Sequence, residues 1–140
     1  MRRALCLLCA AAAPALTQTF WERMQSAAEQ HLGRPYVWGT AGLKSFDCSG
    51  FVWRVLADSG ILLKRTTARK LYFSLPAVER GAELRRGNIV FFDSMKHCGI
   101  VESPSRFYHA QVSRGANLSP FAPYWGPKVC GYRRLKGTDD

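Results

Sequence analysis

The sequence predicts an α+β fold in which N-terminal helices pack on a largely antiparallel sheet. Two observations carry that prediction. In the first half of the chain apolar residues recur at helical spacing, and beyond Gly87 they form short alternating or continuous runs separated by turn residues. Helices first and strands later is the order of a segregated α+β domain. With 140 residues, 47% of them apolar, the chain can bury one core but not two. A single domain over residues 16–140 is therefore expected, behind a signal segment over residues 1–15.

That segment is read from Met1-Arg2-Arg3, an apolar run from Ala4 to Ala13, and the small residues of Ala13-Pro14-Ala15, the pattern of a secretory signal peptide. The run is about half of the roughly 20 residues a bilayer span needs, so a permanent anchor is disfavoured. Cys9 follows Leu8, where a lipidation signal wants a small residue. The expected location is across the inner membrane, in the periplasm or outside the cell.

Thr17 to Leu32 reads as an amphipathic helix on Phe20, Met24, Ala27 or Ala28 and Leu32, ended by Gly33 and Pro35. A Gly- and aromatic-rich loop, Arg34 to Phe46, leads into Asp47-Cys48-Ser49-Gly50. A second helix should run from there to about Ser59, burying Phe51, Val52, Val55 and Leu56. Thr66 or Thr67 can cap a third, to Phe73. Strands are expected over Ile89–Phe92, Cys98–Val101, Arg106–Val112 and Lys128–Leu135. Asn117 to Pro127, with three prolines and a glycine, reads as a surface loop.

Twenty Lys and Arg against ten Asp and Glu give a net charge of +10; losing Arg2 and Arg3 with the signal leaves +8. A secreted basic protein is drawn to anionic surfaces such as the cell envelope. The basic residues are scattered over Lys64-Arg65, Arg69-Lys70, Arg85-Arg86 and Arg133-Arg134, with no aromatic-interleaved stripe that would stack bases. No nucleic-acid partner is expected.

Signal removal leaves Cys48, Cys98 and Cys130, an odd number outside the cytosol. Either Cys98 and Cys130 form a disulfide or both are buried and reduced. Cys48 stands at a helix start, which favours thiolate, the nucleophilic form. It then needs a histidine to take its proton and a third group to orient that histidine. His31 reads as an ordinary residue on the exposed flank of the first helix, which leaves His97 and His109. A hairpin turning around Ser103-Pro104 would set 97 opposite 109, side by side on one face. A metal site built on Cys48, His97, His109 and Cys98 is disfavoured, because Cys98 should point to the other face from His97. No metal or cofactor is expected.

The segments Pro35-Tyr36-Val37-Trp38-Gly39, Asp47-Cys48-Ser49-Gly50-Phe51-Val52, Gly87-Asn88-Ile89-Val90-Phe91-Phe92, His97-Cys98-Gly99-Ile100-Val101 and Tyr108-His109-Ala110 resemble, in order and spacing, the motifs of the NlpC family of papain-like cell-wall peptidases. Arg65-Thr66-Thr67 is similar to a further family segment, and the likeness runs from Gln18 to Leu135. It implies that Cys48 attacks the scissile carbonyl, that His97 is general base and then acid, and that His109 orients His97. The Cys48 N–H would be an oxyanion donor, helped by the Tyr36 hydroxyl. Asp47 and Ser49 match positions that bind a free substrate amine in some members, although Asp47 would serve equally as a helix cap. The implied substrate is the peptidoglycan stem peptide, cut between the D-Glu γ-carboxyl and a diamino acid such as diaminopimelate, by a protein acting as a monomer. Thr40 replaces a second glycine common in the family, and Asn88 replaces its usual aspartate. A thiol amidase or acyltransferase, or a wall-binding module without turnover, are the alternatives.

Overall fold

The computed structural model describes residues 18–136; the expected signal segment lies outside them. Helix α1 (Phe20–Gln30) is opened by Thr19, whose hydroxyl accepts from the Glu22 N–H while the Glu22 carboxylate accepts from the Thr19 N–H. Its buried face is Trp21, Met24, Ala27 and Ala28. Phe20 is only partly buried, and Leu32, expected on that face, lies beyond the helix end and is exposed.

His31 overturns its expectation. It is buried, with Nε2 at 2.6 Å from the Asp58 carboxylate, a contact from its Nδ1 to Arg34, and its ring edge-on to Phe46 at 5.1 Å. The physical reason is that α1 packs against α2 (Cys48–Asp58), so the C-cap of the first helix is turned toward the last residue of the second.

Helix α2 buries Phe51, Val52, Val55 and Leu56 as the periodicity predicts. Full burial of such side chains contributes about 1.5–3 kcal/mol each. Helix α3 (Ala68–Ser74) is capped by the Thr67 hydroxyl, which accepts from the Lys70 N–H.

Five strands follow: β1 (Ile89–Phe92), β2 (His97–Ser103), β3 (Arg106–Gln111), β4 (Gly115–Pro120) and β5 (Val129–Arg133). They form one antiparallel sheet in the order β4-β3-β2-β1-β5. Ile89, Phe91, Cys98, Ile100, Tyr108 and Ala110 face the helices, while Val90, Phe92, Val101 and Phe107 form a second, smaller core on the opposite face. The sheet is thus helix-covered on one side, as the α+β expectation requires.

Strand β4 is the element that the sequence reading assigned largely to a loop. Ala116 and Leu118 alternate with Asn117 and Ser119, and the whole strand pairs with β3 from Arg106–Pro120 to Gln111–Gly115. Pro120 is tolerated because β4 is an edge strand. The strands on either side of the 121–128 connection lie at opposite edges of the sheet, so that connection must cross the sheet. It does so on the face away from the helices, packing Phe121 and Trp125 against Val90, Phe92, Val101 and Phe107.

Cys48, Cys98 and Cys130 are all free thiols. The Cys98–Cys130 disulfide is excluded by topology: β1 lies between the two strands that carry them. Of that pair Cys98 is buried, as expected for a reduced thiol, but Cys130 is exposed where β5 slips register against Phe91 and Phe92. At position 88 the amide is needed for its donors. Asn88 Nδ2 gives hydrogen bonds to the carbonyls of Ala82 at 2.7 Å and Glu83 at 3.1 Å, where a carboxylate would present only acceptors.

Candidate active site

Cys48 is the first residue of α2, so its N–H is among those that the helix does not use internally. The residue before it fixes the helix start. One Asp47 carboxylate oxygen accepts from the Gly50 N–H at 2.6 Å, and the other from the Gly39 N–H at 2.9 Å. The open end of the helix is pressed against the preceding loop: a Cβ at Gly50 would fall 2.0 Å from the Thr40 carbonyl oxygen, so no larger residue fits. That oxygen accepts from the Asp47 N–H, so Thr40 contributes here through its backbone.

Asp47 and Ser49 are occupied by the protein itself. The Arg65 guanidinium forms an ion pair with Asp47 at 2.7 Å and donates to the Ser49 hydroxyl at 3.0 Å, while both Asp47 and Ser49 are buried. Arg65 was noted in the sequence as one of the scattered cations and as part of a family-like segment, without a role at the site. Its pairing gives Asp47 the cap role, with the carboxylate charge already neutralised.

Between β1 and β2 the chain turns through Asp93, Ser94 and Met95, three consecutive non-glycine residues at positive φ. Left-handed backbone costs roughly 1–2 kcal/mol per residue. The turn is held by the Lys96 N–H donating to the Phe92 carbonyl and by the Asp93 N–H donating to the Lys128 carbonyl. It delivers the Lys96 carbonyl to 3.7 Å from the Cys48 sulfur and starts β2 at His97.

His97 and the Cys98 thiol are the neighbours that act on the Cys48 thiol. Together they bring its pKa well below the ordinary thiol value. The Cys98 thiol is the largest influence and His97 a further one, against burial, which acts the other way. Cys98 is driven up correspondingly, by its bond to Cys48 and by complete burial, so it remains a thiol and a donor. The sequence placed Cys98 on the face opposite His97, which is where it lies, but did not foresee that this face is the one Cys48 approaches.

His97 Nε2 and His109 Nδ1 are 2.8 Å apart, with ring centroids at 5.1 Å. The two histidines meet as expected, but in a different register. Ile100 pairs with Tyr108 and Val101 with Phe107, and the register then slips by one residue before Ser103 pairs with Arg106. Gly99 therefore stands opposite His109, and His97 reaches it diagonally, two residues further along the same face. The missing side chain at 99 makes this possible, since a Cβ there would lie 3.1 Å from the His109 Cβ and 2.6 Å from the Tyr108 carbonyl oxygen. His109 is fully buried, and burial, with the neighbouring His97 second, pushes its pKa down to about 2. It is therefore neutral at every physiological pH.

Three further residues complete the arrangement. Ser119 Oγ lies 2.7 Å from His109 Nε2 and 2.5 Å from Asn117 Oδ1. Trp125 stacks on His97 at 5.0 Å and 21°, and meets His109 edge-on at 5.0 Å. All three fall in the stretch read as a loop. The alternation Ala116, Leu118 against Asn117, Ser119 was the available signal for a strand whose polar face joins His109.

A cleft of about 900 Å³ opens beside His97, bordered by Tyr36, Lys96, Arg114, Tyr124 and Trp125 among others. Of the residues singled out in the sequence, Tyr36 and His97 line the cleft, whereas Asp47, Cys48, Ser49 and His109 do not. Burial raises the Tyr36 hydroxyl pKa, with Cys48 and Asp47 adding to the effect, so it stays a phenol able to donate. The ensemble can do nucleophilic chemistry: a thiol prone to ionise, a base, a neutral group orienting the base, and donors at a helix start.

Comparison with known proteins agrees with this geometry. Residues 33–134 match the model of the NlpC/P60 family. The chain is 36% identical over 111 residues to the probable endopeptidase p60 of Listeria seeligeri, covering 77% of this chain and 21% of that one. It is 33% identical over 118 residues to the probable peptidoglycan endopeptidase LytE of Bacillus subtilis, covering 81% and 34%. The chain therefore spans about a fifth and about a third of the length of these two relatives. A crystal structure of an NLP/P60-family protein from Staphylococcus aureus superposes with a TM-score of 0.72 at 30% identity, over 83% of this chain and 41% of that one. Sequence, fold and the geometry around Cys48 all point the same way, and the chain belongs to the NlpC/P60 family.

Proposed function

We propose that this chain is a secreted cysteine endopeptidase that hydrolyses the bond between the D-Glu γ-carboxyl and the diamino acid of peptidoglycan stem peptides. The position of His97, which acts on Cys48, meets His109 at 2.8 Å and lines the open cleft, is the observation that carries the reading. The relatives named as endopeptidases support the reaction, and the one named as a peptidoglycan endopeptidase supports the substrate class.

In this reading the Cys48 thiolate attacks the scissile carbonyl while its proton rests on His97. The oxyanion takes hydrogen bonds from the Cys48 N–H and the Tyr36 hydroxyl. His97 then gives its proton to the leaving amine, leaving a thioester on Cys48. A water molecule, deprotonated by His97, hydrolyses the thioester and restores the thiol. His109, neutral and buried, orients the His97 ring throughout. Asp47 serves by shaping the helix start; a substrate ammonium would reach it only by displacing Arg65, and Ser49 is likewise held by that guanidinium. The net positive charge favours retention at an anionic wall and would weaken in high salt.

The test is digestion of defined muropeptides by residues 16–140, beside Cys48→Ala, with products identified by mass spectrometry. Products split between D-Glu and the diamino acid, absent with the variant, support the reading. Transfer of the acyl group to an added amine instead of water would favour an acyltransferase. No turnover by folded, reduced protein would favour a binding module.

A further inference from the structure

The hydrogen bonds behind His109 form a chain whose direction can be read from one end to the other. It starts at a backbone carbonyl. Asn117 Nδ2 donates to the Gly115 carbonyl at 2.9 Å, and a carbonyl can only accept. The Asn117 amide is thereby fixed with Oδ1 turned to Ser119. Ser119 has one proton, and it goes to Asn117 Oδ1 at 2.5 Å. The Ser119 oxygen is left as an acceptor toward His109 Nε2 at 2.7 Å.

His109 must then carry its proton on Nε2. As a neutral ring it has only a lone pair on Nδ1. Across the 2.8 Å contact the donor is therefore His97 Nε2–H, which leaves His97 Nδ1 unprotonated in the neutral ring. One direction of proton placement, imposed by a main-chain oxygen on β4, thus runs through two side chains to both histidines.

We infer that Ser119, locked by Asn117, is a positioning residue: it sets the tautomers of His109 and His97 and so presents His97 Nδ1 as the base that faces Cys48. The inference rests on the proposed roles of Cys48 and His97 for its effect on turnover, but the proton positions themselves exist in the resting protein. Sequence and topology make the arrangement local to one hairpin. His109 pairs with Asn117 across β3 and β4, and Ser119 is the next residue on that face. Without the hydroxyl, His109 Nε2–H would point into a buried site with no acceptor. The ring would be free to move its proton to Nδ1, reversing the donor between the histidines and putting the His97 proton toward the thiol.

The experiment uses imidazole-15N-labelled protein, residues 16–140, as wild type, Ser119→Ala and Ser119→Thr, without substrate. Nitrogen shifts and nitrogen–proton couplings report which ring nitrogen is protonated. The expected result is Nε2–H on both His97 and His109 in the wild type and in Ser119→Thr, and a changed or mixed His109 tautomer in Ser119→Ala. On a cleaved stem peptide, kcat should fall about 10- to 100-fold in Ser119→Ala with KM within about twofold, and recover in Ser119→Thr. A wild-type His109 protonated on Nδ1, or tautomers and kcat unchanged in Ser119→Ala, would overturn the inference. So would a Ser119→Thr variant as impaired as Ser119→Ala. Expected tautomers in a wild type that cleaves no stem peptide would support the tautomer assignment and count against the endopeptidase reading alone.

Discussion

Cys98 shares the helix-side core with Cys48, while His97, its neighbour in sequence, belongs to the other face of the sheet. One dipeptide at the start of β2 thus serves the nucleophile twice, because successive strand residues point to opposite faces and α2 begins beside that start.

Removing the Cys98 donor should therefore make Cys48 a weaker acid. Cys98→Val in a Cys130→Ser background is expected to raise the midpoint of the pH–alkylation profile of Cys48 by about one unit or more, whereas Cys98→Ser, which keeps a donor, should shift it less. Rates of iodoacetamide modification between pH 4 and pH 9 measure this. An unmoved midpoint in the valine variant would mean that His97 and the helix start suffice.

Burial of neutral His109 has a consequence for stability. Its folded-state pKa is depressed to about 2 from an ordinary 6.5, so between those values the unfolded chain binds a proton that the folded protein does not. The stability it permits is fully present above pH 6.5 and is lost as pH falls. From pH 7 to pH 5 this should cost about 2 kcal/mol, read as a lower urea midpoint. His109→Gln should flatten the dependence over that interval; an equally steep slope in the variant would assign it to other groups.

The diagonal between the histidines depends on Gly99. Gly99→Ala should separate β2 from β3 locally, lengthen the His97–His109 contact and lower kcat at least about tenfold, since a displaced base loses general-base catalysis. Activity near wild type, measured on the same stem peptide with the fold intact by circular dichroism, would show that the strands yield without disturbing the pair.

Much of this was legible in the sequence. Helix α2 and the burial of its Phe51, Val52, Val55 and Leu56 follow from spacing, Cys48 at its start from the Asp47 cap, and the pairing of His97 with His109 from strand parity. Parity also explains why the pairing survived a wrong register: Gly99 rather than His97 stands opposite His109, and a shift by two residues keeps the face. What stayed hidden was tertiary. His31 looks polar and exposed until α2 packs against it, and Arg65 looks like surface charge until it meets Asp47. Ser119 and Trp125 were lost to a stretch whose prolines signalled a loop, although Pro120 ends an edge strand and only residues beyond it cross the sheet.

Acylation of Cys48 is the most direct measure of the central claim. Wild-type protein mixed with a stem peptide would be acid-quenched within milliseconds to seconds, and its intact mass and peptide map recorded. An adduct on Cys48 equal in mass to the fragment ending in D-Glu, appearing before steady state and absent in Cys48→Ala, is the predicted result. Cleavage of the same peptide by Cys48→Ala at the wild-type rate, with no adduct at any time, would contradict it.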